Sequence, residues 1–409
     1  MRLGGGYWAW LSAAICSEFG SNAMTFAVAW TATGFGATVA GLVTSSTMLF
    51  RTVLLLAGGS AGDRYGPRRV MIVCDSSMLV LTSFAAGWFA LHGASIGALL
   101  AVGSLLGVIS AFYMPASGVF PRLFVDDTHL ARVMATTSSG LQIARIAGPA
   151  LGGVLLAWIG LSWVIALNAA SFLLIVVVVL LVVPPRPARS PDTPHVGFRS
   201  TWASLRSGAQ HRVLLSLLMA FSALIAGTSP ALTLLFPVLA RGRGWSSADA
   251  GFIEAAFMVA ALAVGATAAA RGPLPRAGLA LIGGPVLAAV GLVTVAAAPA
   301  VWVACTGAIA VGIGLVGFNI HAVPRFLAAS PPGSQVRLQA VLGLAVTLPV
   351  LALGGLYGLL AQYTSASWAL LAASGWALAA AAVMAVNRPW QTHSPATGPM
   401  GDSAPNRSR

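Results

Sequence analysis

The stretch that decides how this chain is read runs from Gly58 to Arg69, G-G-S-A-G-D-R-Y-G-P-R-R, between two long apolar runs. It brings four charges, Asp63, Arg64, Arg68 and Arg69, into a connection that also holds Gly59, Gly62, Gly66 and Pro67. Charged, glycine-rich backbone cannot lie in hydrocarbon, where no water satisfies its polar groups. The stretch is therefore a tight turn at a membrane surface, and the apolar runs beside it are membrane-crossing helices.

The composition agrees with that reading. Of 409 residues, 58% are apolar and only 8% charged, with a mean hydropathy of +0.88, which excludes a string of soluble domains and leaves a polytopic membrane protein. All 22 basic residues are arginine, and the formal net charge is +13. These arginines fall between apolar runs and form no basic face interleaved with aromatics, so no nucleic-acid partner is expected. Cys16, Cys74 and Cys305 lie far apart, each in or beside an apolar run, and no C-x-x-C or disulfide framework exists. The apolar stretch after Met1-Arg2 is too long for a cleaved leader and reads as the first retained span.

A helix needs about 20 residues to cross roughly 30 Å of hydrocarbon. Twelve such spans are predicted: Tyr7–Trp30, Ala40–Gly62, Val70–Leu91, Ser95–Phe120, Val133–Ala157, Leu161–Val183, Val213–Leu239, Ala250–Ala270, Ala277–Ala298, Val301–Val323, Leu338–Gln362 and Ser367–Val386. With a cytoplasmic N-terminus, eighteen arginines fall on the cytoplasmic side, Arg241 and Arg243 fall outside, and Arg51 and Arg145 lie within spans. That bias places both termini inside the cell, in the plasma or inner membrane. The Pro-, Ser- and Arg-rich connection divides the chain into a first six-helix bundle over 1–183, a cytoplasmic linker over 184–212 and a second bundle over 213–387. The polar tail over 388–409 is expected to be disordered. An internal repeat supports the division, because Gly59, Gly66 and Pro67 recur 206 positions later as Gly265, Gly272 and Pro273. The second copy has Ala269 where the first has Asp63, so it keeps the turn and loses the charge.

The loop resembles the G-x-x-x-D-[RK]-x-G-[RK]-[RK] pattern of the major facilitator superfamily, matching at Gly59, Asp63, Arg64 and Gly66, with Pro67 intervening before Arg68 and Arg69. Gly148-Pro149-Ala150-Leu151-Gly152-Gly153 in the fifth span is similar to the G-P-x-x-G-G element of the superfamily's proton-coupled exporters. Met114-Pro115-Ala116, Pro121-Arg122-Leu123 and Leu130-Ala131-Arg132 also resemble the branch of macrolide efflux proteins and siderophore exporters. The resemblance implies an all-α fold of twelve transmembrane helices in two six-helix pseudo-repeat bundles. It further implies that Asp63 docks at the inner end of helix 11 as part of a gating latch with Arg64 and its neighbours.

Ionisable groups inside spans cost about 2.5–3.5 kcal/mol each at a helix centre, so they are candidates for function. Glu18 lies mid-span with Ser21, Asn22 and Thr25 on its face. A carboxyl there is costly ionised and cheap protonated, so Glu18 is the candidate proton carrier, against the alternative of a permanent structural ion pair. Arg51 and Arg145 lie near the middles of spans two and five, Arg145 sharing a face with Gln142, Gly148 and Gly152. Either arginine holds an anionic group of the substrate or serves as counter-ion to Glu18. Asp75, about a turn and a half into span three, is expected to contact a loop arginine or its own helix N-terminus. Glu254 falls near the outer end of span eight, where water reaches it. Asn319 and His321 near the inner end of span ten read as packing or gate residues. Gly148 and Gly152, four apart, are expected to let a helix of the other half approach closely.

Gly312-Ile313-Gly314-Leu315-Val316-Gly317 satisfies G-x-G-x-x-G, yet no strand precedes it and no acidic residue follows, so it is a helix-packing run. No P-loop is possible without lysine, and no hydrolase or metal-ligand pattern occurs, so no enzyme, metal or cofactor is expected. The expected partners are a small-molecule substrate, protons and the bilayer, and the expected state is a monomer. The function expected is proton-coupled export of a small amphipathic compound, such as a drug, macrolide-like metabolite or siderophore, by alternating access. The competing readings are uptake or facilitation in the same fold, and a non-transporting membrane sensor or assembly partner.

Overall fold

The computed structural model describes residues 5–124, 127–182, 212–272, 277–329 and 335–388; the side chains of some helical residues, Asp63, Arg122 and Arg132 among them, lie outside the described set. The linker and most of the tail lie outside it too. The chain forms α1 (Gly5–Thr33), α2 (Ala37–Tyr65), α3 (Pro67–His92) and α4 (Ile96–Val119). Asp127–Val182 is continuous in its hydrogen bonding but breaks at Gly160 (φ 78°, ψ 170°), giving α5 (127–159) and α6 (161–182). After the linker come α7 (Arg212–Gly242), α8 (Ser247–Arg271), α9 (Ala277–Ala297), α10 (Val301–Ala328), α11 (Gln335–Tyr363) and α12 (Ala366–Asn387). Among the described residues ten segments are long and apolar enough to cross a membrane, the longest being Val133–Val182, which turns back at Gly160.

The helices overrun the predicted spans, since a helix need not stop where hydrocarbon ends. Span five begins at Asp127 and span seven continues to Gly242. Helix α7 does so through a π-helical turn, Ala231–Leu235, directly after Pro230. Proline has no N–H to give the preceding turn, and the wider winding re-aims the rest of the helix.

Successive helices run in opposite directions, so the fold has two ends. The terminal face holds the start of α1 and the end of α12; the distal face holds the turns α1–α2, α7–α8 and α11–α12. At the terminal face the sequence repeat reappears in three dimensions. Gly66 ends α2 with φ 82° and ψ 148°, and Gly272 ends α8 with φ 80° and ψ 171°. In each, the glycine N–H returns to the carbonyl four residues back, Gly62 at 3.0 Å and Ala268 at 2.9 Å. Positive φ with extended ψ is open essentially to glycine alone.

Lipid tails are as apolar as leucine, so helices in a membrane are held by close packing, and small residues mark the seams. A side-chain carbon at Gly284 would lie 2.6 Å from the Gly314 carbonyl, and one at Gly307 would lie 2.7 Å from the Gly291 carbonyl, so α9 and α10 touch backbone to backbone. Gly312 meets α8 in the same way, 2.5 Å from the Phe257 carbonyl. Two glycines of the G-x-G-x-x-G run are thus the contact points of α10 with its two neighbours. Gly58, Gly103 and Gly107 do the same between α2 and α4.

Candidate translocation site

Helices α1 and α5 run parallel and in register, and α1 packs along the α5–α6 segment. Near the terminal face the Tyr7 hydroxyl donates to the Val133 carbonyl at 3.2 Å and lies 3.1 Å from Thr137 Oγ1. Further up, a side chain at Gly148 would sit 2.5 Å from Asn22 Cβ, and one at Gly152 would sit 2.7 Å from Ala23 Cα. The two glycines therefore bring α5 against α1 of the same half, which corrects the expectation that they face the other half. Gly153 and Pro149 do face it. A side chain at Gly153 would strike the Ser247 backbone of α8, and one at Gly251 would sit 2.6 Å from the Pro149 carbonyl.

That register sets Glu18 opposite Arg145. The Arg145 Nε–H donates to Glu18 Oε1 at 2.7 Å, and the side chains are 50% and 23% exposed respectively, so the pair is accessible. Of the two roles open to the arginines, Arg145 takes that of counter-ion in this conformation. Arg51 of α2, partly buried, lies within electrostatic range of Arg145. Asn22 turns its amide to the Glu18 carbonyl at 2.7 Å, and Thr25 bonds the Ser21 carbonyl, so neither is engaged with the carboxylate.

Asp75 departs from the expectation of a loop or helix-terminus contact. It is 1% exposed, and both carboxylate oxygens are buried without a hydrogen-bond partner among the described residues. Glu254 stands half-buried in the second turn of α8, one turn beyond the Gly251 contact. His321 is buried, its Nδ1 2.8 Å from the Gly317 carbonyl, which as an acceptor requires the proton on Nδ1. Asn319 is half-buried on the same helix. Between α8 and α10, in the other half of the fold from Glu18, runs an apolar crevice of about 520 Å³ walled by Val259, Ala263, Val264, Ile309, Ile313 and His321.

The halves meet at the distal face. Arg241 of α7 donates from Nε to Thr33 Oγ1 at 2.6 Å and from an Nη to the Trp30 carbonyl at 3.1 Å, with its guanidinium 4.6 Å from the Trp30 ring centre. The Ala37 N–H donates to Gln362 Oε1 at 2.9 Å, and Ser247 Oγ donates to the Gly153 carbonyl at 2.8 Å. A small apolar core of Phe26, Trp30, Ala240 and Ala250, with Leu156 and Trp245 against it, plugs the same end. Gly41 of α2 packs on Gly354 and Gly358 of α11 there. At the terminal face, among the described residues, Gly59 and Gly62 of α2, Gly265 and Gly272 of α8 and Gly343 of α11 have no other group within 4 Å of where a side chain would start, in contrast to the glycine contacts at the distal face.

The residues expected to form the gating loop lie at the terminal face. Arg64 is exposed with its guanidinium 5.4 Å from the Tyr65 ring, Gly66 is buried, Arg68 is partly buried and Arg69 is exposed. The expected docking of Asp63 at the start of α11 falls on side chains outside the described residues. Arg241 and Gln362 are not singled out by the sequence. Only Arg241 left a signal, as one of two arginines on an otherwise arginine-free side.

The profile of the Major Facilitator Superfamily matches residues 10–332. The enterobactin exporter EntS of Shigella boydii is 27% identical over 223 residues, 52% of this chain and 50% of the relative. The multidrug efflux pump LfrA of Mycolicibacterium smegmatis is 31% identical over 109 residues, 26% of this chain and 21% of the relative. The chain thus spans half or less of the length of these curated relatives. Among solved structures, a bacterial homologue of the human lysosomal transporter Spinster, inward-facing and unoccupied, superposes with a TM-score of 0.70 at 16% identity, covering 96% of this chain and 98% of that one. The POT family transporter PepTSo gives a TM-score of 0.72 at 11% identity, covering 96% of this chain and 100% of that one. Twelve helices in two pseudo-repeated sets of six, with a profile match over most of its length, place the chain in the Major Facilitator Superfamily, to which it belongs.

Proposed function

We propose that this protein is a secondary active transporter that exports small amphipathic compounds in exchange for protons, by alternating access with both termini in the cytoplasm. The observation that carries the proposal is the asymmetry of the two ends. Hydrogen bonds, an apolar plug and glycine contacts close the distal face, while the terminal face is open around an accessible ion pair, Glu18–Arg145. With the terminal face cytoplasmic, as the arginine bias supports, this is the conformation in which an exporter loads its cargo.

The chemistry of the walls supports an amphipathic cargo. The first half supplies a carboxylate and two guanidinium groups, and the second half supplies an apolar crevice. An ionised group on the substrate exchanges for one member of the Glu18–Arg145 pair, so that each charge keeps a partner. The exporters among its relatives, one of enterobactin and one of multiple drugs, favour outward movement. One proton moving down about 150 mV yields roughly 3.5 kcal/mol, enough to concentrate the cargo a few hundredfold.

The test is flux in proteoliposomes with an imposed pH gradient, using ethidium as a cationic amphipathic probe and anilinonaphthalene sulfonate as an anionic one. Uphill movement of either probe against its gradient, abolished by collapsing the pH gradient, is expected. Flux that ignores the pH gradient in both arms refutes proton coupling, and no flux of either probe refutes export of amphipathic compounds as stated.

A further inference from the structure

We infer that Asp75, in the third turn of α3, is the residue that takes up and gives off the coupling proton, and that Glu18 is held as an ion by Arg145. The inference deepens the transport reading and rests on it for the meaning of the proton in the cycle.

Two acids of the first half stand in opposite settings. Glu18 has a guanidinium at 2.7 Å and partial access to water, so its negative charge is neutralised where it stands. Asp75 is 1% exposed, and neither oxygen has a donor among the described residues. An ionised carboxylate in that position would lose its hydration and gain nothing in return, a penalty of several kcal/mol that one bound proton removes. Structural carboxylates in membrane proteins are found paired; one kept dry and bare in a helix interior has a use as a neutral acid.

Among the described residues the surroundings hold no substitute partner. Helix α3 packs on α4, on the α5–α6 segment and on α2. From α4, Tyr113 lies within electrostatic range of Asp75, and also of Glu18 and Arg145. From α5, Arg145 is engaged by Glu18, and from α2, Arg51 lies in the field of Arg145 while Arg64 stands at the terminal face. On α3 itself Cys74 is adjacent and buried, Arg68 and Arg69 lie in its first turn, and His92 in its last. Tyr113 therefore stands where both acids act on it, and the charge on one is felt beside the other.

The step is a single proton transfer. With the distal face open, the Asp75 carboxylate takes H⁺ from water. After reorientation the acid is buried and neutral, as in this conformation; when cargo entering from the terminal side admits water to it, its O–H bond breaks, H⁺ passes to that water, and the electron pair stays on the carboxylate. No other bond changes.

The experiment has two parts on the full chain. Infrared difference spectra of nanodisc-embedded protein across a pH step report protonated carboxyl C=O directly. A band that disappears in Asp75→Asn and persists in Glu18→Gln is expected. In proteoliposomes, Asp75→Asn should lose uphill movement of ethidium or anilinonaphthalene sulfonate while still exchanging the probe down its gradient, and Asp75→Glu should recover part of the uphill movement. A titrating band that survives in Asp75→Asn, or pH-driven accumulation by Asp75→Asn with wild-type pH dependence, overturns the inference. Should the wild type itself show no pH-driven movement, the transport reading fails, and the infrared band still decides whether Asp75 holds the proton.

Discussion

Ser247 of α8 donates its hydroxyl to the backbone carbonyl of Gly153 in α5 across 2.8 Å, and a side-chain carbon at Gly153 would strike the backbone of that same serine. One glycine thus lets a helix of the first half rest on a helix of the second at the distal face.

A larger side chain at this position should wedge the face open, because the group it meets is backbone and cannot turn aside. In a background without the native cysteines, a cysteine pair at Ser45 and Gly354 reports the closure, since a side chain at Gly354 would start 2.9 Å from Ser45 Oγ. Disulfide formation in this pair should fall several-fold on adding Gly153→Leu. Unchanged crosslinking would mean that the α5–α8 contact does not set the gate.

The Glu18–Arg145 pair should matter far more to flux than to stability. Exposed ion pairs contribute about 0–1 kcal/mol, and this one is half open to water. Glu18→Gln and Arg145→Gln should each melt within a few degrees of the wild type yet move little probe. The double variant should regain any lost stability without regaining flux. Full flux in the double variant would reduce the pair to scaffolding.

Gly66 and Gly272 adopt one backbone conformation at equivalent turns. Substitution by alanine forces a side chain into a region that costs about 1–3 kcal/mol, so both variants should lose thermal stability to a similar degree. Gly272 faces open space, so backbone strain is the whole effect there. Gly66→Ala should additionally depress flux, since only its loop carries Asp63. Equal flux from the two variants would separate the charged loop from the transport cycle.

Arg241 ties α7 to α1 with two hydrogen bonds and a ring contact, a combination that needs the planar guanidinium. Arg241→Ala should raise labelling of a cysteine at Phe26, buried in the distal plug, by an impermeant maleimide added from the distal side. Arg241→Lys should give an intermediate value. Equal protection in wild type and Arg241→Ala would show that the apolar plug closes this face without the strap.

Much of the architecture was legible because a bilayer turns composition into topology. A run of apolar residues must be a helix, and a charged glycine turn must be at the surface, whatever packs beside it. The break between α2 and α3, its echo after α8 and the boundary before Leu161 all follow from one-dimensional rules, but the structure confines the first turn to Gly66, with Gly59–Tyr65 still in α2 and Pro67–Arg69 already in α3. Acids within spans are also visible in one dimension, since Glu18 and Asp75 stand out against apolar neighbours.

What a helix face meets is not visible there. Gly148 and Gly153 look alike in the sequence, five residues apart, yet one touches α1 and the other α8, because five residues carry the chain well over a full helical turn. Whether Arg145 or Arg51 would reach Glu18 was open in the sequence and depended on the register of α1 against α5, which Gly148 and Gly152 set by close approach. The same holds for the charge states inferred for the two acids. Both are carboxyls in apolar spans, and only the neighbours brought by tertiary packing, a guanidinium for Glu18 and none among the described residues for Asp75, separate an ion pair from a dry acid.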